Sequence, residues 1–160
     1  MKTLIIYAST YGYTEEMVNK MVVESNHNFD SINILKNKNI DLSKYENIVI
    51  GSCIYVGQIN KELKKFMMTY HDALIQKNIG LFLACAFEDQ FNTHLTNNFS
   101  QDIIDHSKIQ VNLGGKLQKD KLNFAHKVLV NMIEKTEEGK KPVKKFENRT
   151  LDIVNQFYRA

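Results

Sequence analysis

The chain is poor in cysteine, proline and long apolar runs. It has two cysteines, Cys53 and Cys85, without CxxC spacing, which is too few for a disulfide scaffold. One proline and seven glycines exclude collagen-like and Pro-rich linker readings. The longest apolar run, Ile79–Phe87, falls far short of the ~20 residues a membrane span requires. The opening MKTLIIYAST has neither the apolar length nor the small-residue cleavage site of a secretory signal, so the expected compartment is the cytoplasm. The histidines (His27, His71, His94, His106, His126) show neither HxxxH nor HExxH spacing, and no metal is expected. A GxxxxGK[ST] loop and a GxGxxG loop are both missing. Ser9 has no nucleophile-elbow context, which argues against a serine hydrolase.

What remains is an ordinary globular mixture. Hydrophobic residues make up 43% and charged residues 24% of 160, enough for one domain with one core and unlike a disordered tail. Residues 1–160 read as a single domain. Charge is uneven. Residues 1–107 hold nine basic and twelve acidic side chains, whereas 108–160 hold twelve and six. The basic C-terminal portion suits an anionic partner, and equally a solvated lysine-rich surface. Its lysines are scattered and lack the Arg/aromatic pattern of nucleic-acid modules, so no nucleic-acid partner is expected.

Continuous apolar runs at Thr3–Tyr7, Asn47–Gly51 and Ile79–Ala86 predict strands buried on both faces. Ser31–Leu35 and Ile109–Gly114 predict two more. Helical spacing begins at Glu15 through Met17, Val18, Met21 and Val22. It recurs over Lys61–Leu74, in part of Phe91–Ser107, over Leu122–Ile133 and over Thr150–Tyr158. Thr136–Lys145 is a charged connector holding Pro142. The near-strict alternation predicts a doubly wound parallel α/β sheet with helices on both faces. Ligands of such sheets sit beyond the carboxyl ends of the strands. Chemistry is therefore expected in the loops after Tyr7, Gly51, Ala84 and Gly114.

The first of these loops is Ser9-Thr10-Tyr11-Gly12-Tyr13-Thr14. Three hydroxyls and a glycine stand between a buried strand and a helix start. Hydroxyls and the free N–H groups of a first helical turn both donate to phosphate oxygens. The loop carries no Lys or Arg, so it would grip an anion by neutral donors and the helix dipole alone. The same residues also make a plain helix cap.

Ser9-x-x-Gly12-x-Thr14 after a buried N-terminal strand resembles the phosphate loop of flavodoxins, the small FMN-binding electron carriers. Asp41–Ile59 (DLSKYENIVIGSCIYVGQI) resembles their third strand and flavin loop. The similarity is nearest to the flavodoxin-like, quinone-dependent protoporphyrinogen oxidase branch (protoporphyrinogen IX dehydrogenases), where the strand also ends in Ile-Gly-Ser/Ala, an Ile and then a Tyr/Gly pair. It spans essentially the whole chain. The chain departs from the family in Tyr11 and Tyr13, where smaller residues or Asn are usual, and in being basic where carrier flavodoxins are acidic.

The resemblance implies a flavodoxin-like five-stranded sheet in order 2-1-3-4-5 and noncovalent FMN. Its phosphate would lie on Ser9, Thr10, Tyr11, Gly12, Tyr13 and Thr14. Its ring would lie between Cys53, Ile54, Tyr55, Val56 and Gly57 on one side and Ala84, Cys85, Ala86, Phe87 and Glu88 on the other. Tyr55 is the candidate stacking residue, with Ile54 and Val56 as alternative covers. Glu88 and Asp89 would place negative charge near the ring or simply face water. Cys53 and Cys85 read as small apolar residues or as a redox pair. No catalytic acid–base set is needed, because the cofactor carries the chemistry. Two activities follow: an electron-transfer protein serving redox partner proteins, or an FMN oxidoreductase passing electrons to a quinone. The latter branch carries an extra segment after the last strand, and 116–145 has that length. Being basic and amphipathic, the segment suits peripheral contact with an anionic membrane surface or a wet face on a sheet-covering helix.

Overall fold

Five short apolar segments pair into one parallel sheet because each is flanked by enough chain to cross back over it. The computed structural model describes residues 2–116, 119–137 and 139–158. Strands β1 (Thr3–Ala8), β2 (Phe29–Asn33), β3 (Asn47–Cys53), β4 (Asn78–Ala84) and β5 (Ser107–Asn112) lie in the order β2-β1-β3-β4-β5. Every neighbouring pair is parallel. The predicted strand order is thus the one observed.

Alternate side chains of each strand feed two cores. Leu4, Ile6, Ile48, Ile50, Leu81 and Leu83 point to one face, where they meet α2 (Lys61–Thr69) and α5 (Gln101–His106) through Leu63, Phe66 and Ile103. Ile5, Val49 and Phe82 point to the other, where they meet α1 (Tyr13–Glu24) and α7 (Thr150–Tyr158) through Met17, Met21, Ile153 and Phe157. The central strands are buried on both sides.

Several elements differ from the sequence reading. The edge strand β2 begins at Phe29, two residues before the predicted Ser31, because its backbone registers with Thr3. The helix expected over Lys61–Leu74 breaks at Tyr70, whose backbone leaves helical geometry, and a single turn, α3 (His71–Leu74), follows. The mixed stretch after Phe91 holds two helices, α4 (Phe91–Asn98) and α5. The helix expected over Leu122–Ile133 is α6 (Phe124–Glu134). It starts late because the Asn123 side chain caps it, accepting the His126 N–H at 2.9 Å. Residues 117, 118 and 138 of the predicted 116–145 segment lie outside the described residues.

Candidate functional site

All four predicted loops converge at the carboxyl edge of the sheet. The first turns at Gly12, which has a φ of +99° that L side chains rarely adopt. A Cβ placed there would have nothing within 4 Å, so space lies over the turn. Ser9 Oγ accepts the Gly12 N–H at 3.3 Å, and the Asn33 amide donates to the Ser9 carbonyl at 3.1 Å, tying the loop to the end of β2. No side chain caps α1, which leaves its N-terminal dipole directed at the space over Gly12.

A small cavity of about 100 Å³ opens here, lined by Ser9, Tyr11, Gly12, Tyr13, Thr14, Cys53, Ile54, Tyr55, Ala84, Ala86, Gly115, Lys116 and Leu122. Thr10 is exposed and outside that lining. Tyr13 lies at the cavity wall, but its hydroxyl is spent on the Leu113 carbonyl at 2.7 Å. Thr14 is buried and its hydroxyl bonds the Cys53 thiol. Behind the loop, Tyr7 donates to Glu15 at 3.1 Å and Lys36 pairs with the same carboxylate at 2.9 Å. Lys36 and then Tyr7 hold Glu15 below the usual carboxylate range. Burial and the Glu15 charge push the Tyr7 phenol up to about 12.

The loop after β3 ends in a tight turn. Tyr55 and Gln58 exchange backbone hydrogen bonds at 2.8 and 2.9 Å, around Val56 and Gly57 at φ +50° and +73°. That is the type I′ pattern. A β-branched residue at positive φ is strained. Across from it, the loop after β4 is fixed by Asn112, whose Oδ1 accepts the Cys85 N–H at 3.1 Å. Between the two loops lies a larger cavity of about 300 Å³. Ile54, Tyr55, Val56 and Gly57 form one wall, and Cys85, Ala86, Phe87, Gln90 and His94 the other. Leu129, Val130 and Ile133 of α6 roof it. The two cavities share Ile54, Tyr55 and Ala86 in their walls, so they adjoin along one trough with the Tyr55 ring between them.

Glu88 is not part of this lining. It pairs with Arg149 at 2.6 Å, and the Arg149 guanidinium lies 3.8 Å from the Phe146 ring centre. Asp89 pairs with Lys141 at 2.6 Å, which holds its carboxyl below the usual range. Both acids thus meet a cation rather than the trough. Cys53 and Cys85 are free thiols on adjoining strand ends. Burial pushes both thiols up. Among the described residues no group of three or more His, Cys, Asp or Glu is placed to hold a metal.

Three features escaped sequence reasoning. Lys116 brings a cation to a cradle whose own loop has none. Its approach depends on β5 ending beside β4, and the Gly114-Gly115 pair before it was the available signal. The roof of the larger cavity comes from α6. His126 of that helix sits among the tyrosines: its ring centre is 4.1 Å from that of Tyr55 and 5.6 Å from that of Tyr11. Its Nδ1 is hydrogen-bonded to the Tyr11 hydroxyl. Among the described residues the buried Tyr55 hydroxyl has no hydrogen-bond partner.

A donor-lined turn with a nearby lysine, adjoining a slot of apolar and aromatic walls, matches a ligand with an anionic end and a flat apolar body. The flavodoxin domain model matches residues 4–144. The chain belongs to the flavodoxin domain family.

Solved structures similar to this flavodoxin-family chain are distant in sequence. A candidate flavoprotein from Bacteroides eggerthii DSM 20697 aligns at 14% identity and TM-score 0.54, over 84% of this chain and 99% of that one. The flavodoxin of Streptococcus pneumoniae TIGR4 aligns at 18% and 0.50, over 76% and 90%. A Lactobacillus acidophilus NCFM flavoprotein, solved in complex with FMN, aligns at 19% and 0.47, over 68% and 91%. At these identities the likeness is one of fold. No curated protein matches the chain. Among the described residues no helix is long and apolar enough to cross a membrane.

Proposed function

We propose that this chain binds FMN noncovalently in the trough and serves as an electron-transfer flavoprotein for redox partner proteins. The observation that carries the reading is the adjacency of an anion cradle at Gly12 to an apolar slot of about 300 Å³, in a chain of the flavodoxin family. When bound, FMN supplies reversible electron transfer at its ring.

The chain's own residues grip and shield it. Ser9, the open first turn of α1 and Lys116 face the phosphate. The buried Thr14 hydroxyl holds the Cys53 thiol, which keeps the floor of the cradle rigid. Tyr55 offers its ring as a platform and its unpartnered hydroxyl as a polar contact. Ala86, Phe87 and α6 keep water from the slot. Purified protein should carry the visible bands of oxidised flavin, release FMN on denaturation and take up electrons reversibly in an anaerobic titration. Colourless protein that leaves added FMN unbound contradicts the reading.

A second reading, an FMN oxidoreductase passing electrons to a quinone, is favoured by the roof. Leu129, Val130 and Ile133 make the slot apolar on its outer side as well, which suits a lipophilic electron acceptor. On α6, Phe124, Val128 and Met132 recur every fourth residue and are exposed, on a segment rich in lysine. That arrangement suits weak association with an anionic membrane surface. Turnover with a soluble menaquinone analogue, and flotation with anionic vesicles, test these two points.

A further inference from the structure

The chain leaves the sheet after β5 and returns at the same place. The Gly115 N–H donates to the Lys144 carbonyl at 3.0 Å, and the Phe146 N–H to the Leu113 carbonyl at 3.2 Å. Gly114 bridges Lys145 between them. This neck is tight: a Cβ on Gly114, at φ +74°, would lie 2.2 Å from the Lys144 oxygen. α6 therefore lies on an excursion pinned at this neck and tied again by Lys141, which pairs with Asp89 at 2.6 Å.

α6 itself is thinly anchored. Val130 is its one fully buried residue, and its inward side roofs a cavity rather than packing on a core. Phe124 is 83% and Met132 63% exposed. Among its holds on the body is His126, hydrogen-bonded to Tyr11 and lying against Tyr55. Tyr11 and Tyr55 line the cradle cavity, and Tyr55 is also shared with the larger one. The imidazole thus holds a planar aromatic place on the platform, at the seam between cradle and slot.

We propose that α6 is a hinged cover over this trough, that His126 is its latch, and that the latch must release before a flavin can thread from cradle to slot. The uptake arm of the test rests on the FMN reading above; the opening arm does not. The neck supplies the hinge, since its hydrogen bonds join backbone to backbone and survive a swing of α6. An aromatic contact plus one hydrogen bond is a modest hold, suited to opening in the native state.

Hydrogen exchange of the FMN-free full-length chain tests the latch. His126→Ala should raise exchange across 124–134 about tenfold while β1 and β3 stay protected, as expected for loss of one weak docking contact. Tyr11→Phe, which keeps the ring, should raise it by less. It carries the test if the alanine variant exchanges throughout the sheet. In stopped flow, FMN should associate about tenfold faster with His126→Ala than with the wild type, by the same loss of closed population. Unchanged exchange over 124–134, or an unchanged association rate, overturns the latch. Failure of both proteins to bind any FMN overturns the cofactor reading instead, and the exchange data still decide whether His126 holds α6.

Discussion

The side-chain carbonyl of Asn112 accepts the backbone N–H of Cys85 at 3.1 Å and that of Gly114 at 2.9 Å. One buried amide thereby joins the slot wall after β4 to the neck that carries α6. Asn112→Ala leaves two buried N–H groups without that acceptor. Each such loss costs about 1–3 kcal/mol, so urea unfolding should show a loss of about 2–6 kcal/mol. A loss below ~0.5 kcal/mol, as at an ordinary surface position, would show that the joint is dispensable.

Lys116 is the cation that lines the cradle cavity. Lys116→Gln should weaken FMN binding several-fold at low salt, with little effect on riboflavin, which has no phosphate. The difference should shrink as ionic strength rises, because exposed charges are screened within a Debye length of ~10 Å at 0.1 M salt. Equal loss for both ligands would move Lys116 out of the phosphate site.

Val56 sits at φ +50° in a tight turn and is 61% exposed. A β-branched side chain there costs on the order of 1 kcal/mol or more, whereas Asn tolerates this backbone. Val56→Asn should therefore raise the urea midpoint by an amount equivalent to about 1 kcal/mol. A lower midpoint would mean that Val56 contributes packing that outweighs its strain.

Of the seven tyrosines, Tyr7, Tyr45 and Tyr55 should titrate late; burial first, then the neighbouring Tyr11 and Cys53, raises Tyr55. Burial and Glu15 push Tyr7 to about 12. Burial and the bond to Asp30 push Tyr45 to about 12. Both are raised above the ordinary value of 10.0. The stability these phenols lend is fully present below pH 10 and is lost as pH rises through 12. Phenolate absorbance should show the delayed groups above the ordinary range, with stability falling over that window. Tyr7→Phe should remove one delayed group. A titration in which all tyrosines ionise together near 10 would contradict the buried hydrogen bonds.

Much of this was legible in the amino-acid order. Central parallel strands are buried on both faces, so Leu4–Ile6, Ile48–Ile50 and Leu81–Leu83 announce themselves as unbroken apolar runs. Edge strands do not: β5 alternates half-buried and exposed residues at Ser107–Gln110, and its start was missed. The break at Tyr70 was invisible, since Leu63, Phe66, Met67, Tyr70 and Leu74 keep helical spacing straight through it. The inner face of α6 was left open, because a helix apolar on most sides names no unique one; Ala125, Val128 and Met132 are exposed. The site loops were found because strand ends converge by topology. Lys116 and His126 were not, because their places depend on how the excursion after β5 folds back.

The phosphate grip at Gly12 is the centre of the account, and comparing FMN with riboflavin on the same apoprotein isolates it. Fluorescence titration should show FMN bound at least tenfold more tightly, since even one charge-assisted hydrogen bond contributes about 1.5–3 kcal/mol, and inorganic phosphate should compete. Equal affinity for the two flavins, or binding of neither, would contradict it.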